Sequence, residues 1–180
     1  ITAMFVLSIF FWILPVSEQA LMERKREKIR EETQAAWSIL DYYHTLSRDG
    51  ELEPAESKRA AMRVIANMRY GPEMKDYFWI NDMHPRMIMH PYRPELDGSD
   101  LSGFRDPEGV ALFVEFVNVC REKGAGFVNY RWQWKDDETR IVPKVSYVQL
   151  FRPWGWIVGT GVYIEDVRAE LRALKTKIVV

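Results

Sequence analysis

Residues 76–91 read DYFWINDMHPRMIMHP, and residues 151–167 read FRPWGWIVGTGVYIEDV. In the first stretch a β-prone run at 77–80 meets Asn81-Asp82 and Pro85, and a second run at 87–90 stops at Pro91. Two such runs around a short Asn/Asp/Pro connection read as a hairpin. In the second stretch Pro153-Trp154-Gly155 is a turn between a strand ending at Phe151 and another over 156–164. Most of the Trp and Tyr residues fall between 76 and 166, on short alternating runs. Neighbouring residues of a strand face opposite ways, so runs of this kind wall a small, partly polar cavity.

Working outward, two further strands are expected at 127–134 and 142–151, joined by the turn Asp136-Asp137-Glu138. Between the hairpin and these strands lie a polar loop at 92–105 and a helix. Asp106-Pro107 offers a cap and a first-turn proline for that helix. Val110, Phe113, Val114 and Val117 are its expected buried stripe, and Gly124 its end. Upstream, residues 18–47 contain no Gly or Pro. Met22, Ile29, Ala36 and Tyr43 recur every seventh residue there, with Ile39 and Leu46 beside them, so a long helix with an apolar seam is predicted. Pro54 opens a second helix with Ala61, Val64, Ile65 and Met68 on one face, and Gly71-Pro72 stops it. From Glu165, Val167, Leu171, Leu174 and Ile178 mark a last helix. Helix, helix, two strands, helix, three strands, helix is an α+β order, with one antiparallel sheet of about five strands.

A chain of 180 residues, 47% of them hydrophobic, can bury one core of ordinary domain size. The net charge of −1 argues against a nucleic-acid partner, which needs a basic face. Cys120 is the only cysteine, so no intrachain disulfide or four-thiolate metal site can form. It sits on a helical apolar pattern, where a buried structural thiol is the expected reading. His44, His84 and His90 lack metal-ligand spacing, and Asp97, Asp100 and Asp106 read as turn and cap residues. No cofactor is implied. No G-x-S-x-G elbow, P-loop or dinucleotide fingerprint occurs.

Alternation places Val128, Tyr130, Trp132 and Trp134 on one face of their strand, and Tyr77 and Trp79 together on theirs. Rings that bury surface while offering one polar atom suit small polar ligands. A carboxylate would further need a cation or a fork of N–H donors, which Arg105, Arg131, Lys144 and His90 could supply. The candidate ligand-binding residues are thus Tyr77, Trp79, His90, Arg105, Tyr130, Trp132, Lys144 and Tyr147. The plainer alternative for each ring is a core position; for Lys144 it is a snorkelling strand residue, and for Arg105 a pairing with Asp100 or Asp106.

YFWIND, MIMHP, DLSGFRDPEG, GAGFVNY, PKVSY and PWGWIVGTGVYIEDV, in this order, resemble the single Cache domain (the sCache_2 type) of bacterial transmembrane receptors. The resemblance implies a PAS-like sheet with the long first helix along it, and an extracytoplasmic small-molecule sensor rather than an enzyme. It raises His90 among the candidates, because the HP pair closing that strand belongs to the family's pattern. It also organises the ends. Residues 1–16 carry no charge and read as part of a transmembrane helix, slightly short of the roughly 20 apolar residues a span needs. Residues 17–174 form the sensor domain, and 175–180 look like the opening of a second span. The implied receptor sits in the bacterial inner membrane with this domain in the periplasm. It works as a homodimer through the membrane-proximal part of the first helix, and its ligand is a small organic acid. Two rival readings stay open: a ligand-free structural or dimerisation module, and a small hydrolase using His90 with an acid.

Overall fold

The structure, a computed structural model, describes residues 14–179. The expected membrane run therefore lies largely outside the described residues, as does Val180. Among the described residues no helix is long and apolar enough to cross a membrane.

Helix α1 (Leu14–Arg48) is 35 residues long, about 50 Å at 1.5 Å per residue. Its buried stripe is Ile29, Thr33, Ala36 and Leu40, at three- and four-residue spacing. This stripe lies on the sheet of its own chain: the Trp37 indole donates to the Leu150 carbonyl at 3.0 Å. Nearer its start, Lys25 pairs with Glu170 of the last helix. The first part of α1 thus has an intrachain neighbour that the sequence did not reveal. Helix α2 (Pro54–Asn67) follows, with Ser57, Ala61 and Ile65 buried. Val64, expected on that face, is exposed. Ser57 instead turns inward and donates its hydroxyl to the Tyr43 carbonyl, tying α2 to α1.

The expected strand at 77–80 splits in two. β1 (Arg69–Tyr70) pairs with β2 (Asp76–Tyr77) as a small ribbon, while β3 (Trp79–Asp82) and β4 (Met87–Met89) form the hairpin in the main sheet. After a short 3-10 turn (Pro94–Leu96) comes α3 (Leu112–Lys123), with Leu112, Phe113, Phe116, Val117 and Cys120 buried. It starts later than expected. The Asp106 carboxylate accepts the N–H groups of Glu108, Val110 and Arg131, at 2.9, 2.8 and 2.7 Å. The residue that reads as a helix cap therefore pins a loop to the sheet, since both tasks use the same carboxylate-to-backbone bond.

β5 (Ala125–Trp134), β6 (Asp137–Phe151) and β7 (Trp156–Tyr163) complete the sheet, and α4 (Ile164–Val179) closes the described chain. The five strands run antiparallel in the order β4-β3-β7-β6-β5. Alternation divides the core into two layers. Phe78, Ile80, Phe151, Trp156 and Val158 pack under α1 and α2. Tyr77, Trp79, Val128, Tyr130, Trp132 and Val148 pack under α3. The α+β class and the five-stranded PAS-like sheet expected from the sequence are both present.

Candidate functional site

The layer beneath α3 holds the polar groups. β2 and β3 bring Tyr77 and Trp79 to it, β5 brings Tyr130 and Trp132, and the chain after β4 brings His90; all five are at most 6% exposed. Phe113 and Phe116 of α3 cover them, Trp132 standing edge-on to Phe113 at 5.7 Å between centroids. The space these side chains enclose is about 10 Å³, room for roughly one water molecule.

Lys144 lies one hydroxyl behind this space. Its register partner across β5 and β6 is Tyr130. The side chain is 2% exposed. Its Nζ donates to Tyr77 Oη at 3.1 Å and sits 4.4, 5.4 and 4.9 Å from the ring centroids of Tyr77, Trp79 and Tyr163. Those ring faces give an ammonium partial compensation for lost water. Gly161 makes the position possible: a Cβ there would fall 2.8 Å from Lys144 Cε, 2.1 Å from Ser146 Oγ and 2.6 Å from the Val145 carbonyl oxygen. Gly159 does the same for Trp79, whose ring would meet a Cβ at 2.6 Å. The glycines expected to permit a close approach therefore admit a lysine stem and an indole.

Burial drives the Lys144 ammonium down from 10.5 to about 7, and Asp76 is the carboxylate whose field partly opposes this. Burial, followed by the charges of Lys144, Arg93 and Arg69, holds His90 well below the usual histidine range, so its ring is neutral. Its Nδ1 accepts the Tyr92 N–H at 3.3 Å, which assigns the ring proton to Nε2. Burial pushes the Tyr77 and Tyr130 phenols well above their ordinary value, so both stay protonated. Tyr130 shares a hydrogen bond of 2.9 Å with Ser146. The Trp132 indole N–H is buried and makes no hydrogen bond of normal geometry among the described residues, with only a looser contact to the Tyr77 hydroxyl. The site thus collects neutral or positive donors around an apolar void.

Six of the eight candidates meet here: Tyr77, Trp79, His90, Tyr130, Trp132 and Lys144. Tyr147 does not. It lies on the other side of β6, stacked edge-on against Phe127 at 4.8 Å. Alternation along β6 separates it from Lys144, three residues away. Arg105 does not either: it is exposed, and its guanidinium donates to the carbonyls of Ser102 and Phe104, both at 2.9 Å. Arg131 pairs with Glu108 at 3.0 Å on the outer surface. Sequence reasoning missed Tyr163 and Thr160. Thr160 holds Tyr77 in place by donating to its carbonyl at 2.6 Å. Period-two alternation on β7 could have found Tyr163; nothing local signalled Thr160.

A wider cleft of about 480 Å³ opens between α1, α4 and the β1–β2 ribbon. Its charges largely satisfy one another: Lys135 pairs with Glu73 and Asp166, and Lys25 with Glu170. The smaller aromatic site is the better ligand candidate, because its donors are buried and underused.

Comparison with known proteins bears on the family and the fold. A family model described as Cache domain (dCache_2) matches residues 8–179; the described residues contain one five-stranded sheet. The methyl-accepting chemotaxis protein McpP of Pseudomonas putida is 49% identical over 150 residues, which are 83% of this chain and 27% of that protein. The chain thus spans about a quarter of the length of that relative. A solved structure described as the periplasmic sensor domain of a chemotaxis protein superposes with a TM-score of 0.76 at 44% identity, covering 80% of this chain and 97% of the other. A second, described as the structural basis for carboxylic acid recognition by a Cache chemosensory domain, gives 0.76 at 45% identity, covering 81% and 97%.

Proposed function

This chain belongs to the Cache domain family, and on that premise we propose that it senses a small carboxylate for a bacterial transmembrane signalling receptor. One observation carries the ligand class. Trp132 and His90 place an indole N–H and a neutral ring N–H beside one aromatic space, and the Lys144 ammonium stands behind it, bonded to the Tyr77 hydroxyl at 3.1 Å. Buried donors that lack a good acceptor cost free energy, and a carboxylate is a small group that can accept from the indole, the imidazole and the Tyr77 hydroxyl together, with the ammonium as counter-charge. The carboxylate is held by Tyr77 Oη, Trp132 Nε1 and His90 Nε2, with Lys144 behind Tyr77 as the balancing charge. The solved structure described as recognising carboxylic acids supports the same class.

The present space admits about one water, so even acetate requires α3 and its preceding loop to move outward. Such a shift changes how the sheet seats α1 and α4, the two helices that lead toward residues 1–16 and 175–180. These segments are the membrane ends of the proposed topology, with the sheet in the periplasm. Signal strength is limited to the ligand's difference in affinity between the two arrangements. A homodimer through the start of α1 completes the receptor.

A thermal-shift screen of short monocarboxylates, dicarboxylates, amines and amino acids tests the reading. A ligand selective for the folded state raises the melting temperature, and acetate-sized or propionate-sized acids are expected to do so. Lys144→Ala and His90→Ala should each weaken binding about ten-fold or more. The closed space gives one rival some support, that of a structural module filled by its own rings. No shift from any compound in the screen decides for that rival, whereas a ligand that binds both variants with unchanged affinity removes Lys144 and His90 from the site.

A further inference from the structure

The bond between Lys144 and Tyr77 carries information that runs through a proton. An ammonium has three donors and no acceptor. When Lys144 is charged, Tyr77 Oη must accept from it, and the phenolic proton turns away from the lysine, toward the Tyr163 oxygen in the free domain and toward a carboxylate when one is bound. When Lys144 is neutral, its nitrogen lone pair is an acceptor, and the phenolic proton can turn back to it. The donor that a carboxylate needs is then withdrawn together with the balancing charge. We propose that binding of a carboxylate in this space takes up one proton onto Lys144, so that the domain reads ligand concentration and pH together. This rests on the carboxylate-sensing reading above.

The surroundings single out Lys144 as the titrating group. From β2 it faces Tyr77 and the field of Asp76; from β5, Tyr130; from β7, Tyr163; and from the chain after β4, His90. On the outer side of its strand lie Glu108, Arg131 and Arg168. The first two pair with each other. The phenols are held protonated by burial, and His90 is held neutral by burial. Asp76 opposes the burial of Lys144 without overcoming it, and Lys144 titrates near 7. A bound anion placed one hydroxyl away favours the charged amine. The balance is simple: the free amine, one proton from solvent and the carboxylate give an ammonium and carboxylate bridged by Tyr77.

The test uses the wild-type 180-residue chain with acetate, propionate and lactate as probes. Isothermal titration calorimetry is run at about pH 6, 7, 8 and 9 in phosphate and in Tris, whose ionisation heats differ. Once the free amine predominates, affinity should fall about ten-fold per pH unit, with nearly one proton taken up per ligand; below about pH 6 the dependence should flatten. Lysine 13Cε NMR on the same chain reads the site directly. One lysine should titrate near neutrality when free and stay charged through about pH 9 when a probe is bound. Binding of a probe with constant affinity from about pH 6 to 9 and equal heats in both buffers overturns the proton linkage and leaves the sensor reading standing. Absence of binding by every probe at every pH overturns both. Proton uptake in calorimetry without a titrating lysine signal assigns the proton to another group and overturns the role of Lys144.

Discussion

Replacing Lys144 by Met should stabilise this fold. The lysine stem lies in a slot shaped by Gly161, 2% exposed, and its ammonium meets rings and one hydroxyl instead of water. The fall from 10.5 to about 7 corresponds to about 4–5 kcal/mol by which burial disfavours the charged amine. That cost is fully present below the folded-state value, because the unfolded chain keeps its proton while the folded chain holds the charge at a penalty. It diminishes as pH rises from about 7 and is gone once the unfolded lysine also loses its proton, near 10.5. Methionine has a similar reach and no charge, although Tyr77 loses its donor, an offset of about 1 kcal/mol. The expected net gain at about pH 7 is therefore roughly 2–4 kcal/mol. Urea unfolding of both proteins at about pH 7 and about pH 10 measures it, as a higher midpoint with an unchanged slope. The advantage should shrink at the higher pH. A Met variant less stable than wild type at neutral pH, or a gap that grows with pH, refutes the account of Lys144 as an incompletely compensated buried cation. The same variant should lose affinity for carboxylates, trading stability for function.

Three further outcomes follow from the geometry. Gly161→Ala should cost about 1–3 kcal/mol, seen as a lower melting temperature, because its Cβ would meet a backbone carbonyl at 2.6 Å as well as Lys144. Trp132→Phe removes an indole N–H that makes no hydrogen bond of normal geometry among the described residues; stability by urea unfolding should change by less than about 1 kcal/mol, while carboxylate affinity by calorimetry falls about ten-fold. Asp106→Ala leaves three backbone N–H groups without their acceptor; it should destabilise by about 2–4 kcal/mol and speed hydrogen exchange in the loop before α3.

Much of the architecture was legible in the order of the residues. Period-two runs bounded by Pro, Gly, Asn and Asp marked the sheet, and three- and four-residue spacings marked the helices. Both signals are local, because a strand or an amphipathic helix must repeat its apolar face with its own pitch. The same alternation placed Tyr77 with Trp79 and Tyr130 with Trp132, and it separated Tyr147 from Lys144. What the sequence could not decide was how polar groups are satisfied. Asp106 reads as a helix cap and acts as a clamp on β5, 25 residues away. Arg105 reads as a candidate cation and spends its donors on its own loop. The membrane-proximal part of α1 reads as facing only a partner or lipid, yet Ile29 is buried and α4 lies alongside, with Lys25 paired to Glu170. Lys144 reads as one of several candidate cations, with a snorkelling strand lysine as the alternative. Only the packing of β2, β3 and β7 around it, with a glycine beneath its stem, turns it into a buried amine that titrates near neutrality. Chain pitch is set by neighbours in sequence, whereas solvation and charge are set by whatever the fold brings within a few ångströms.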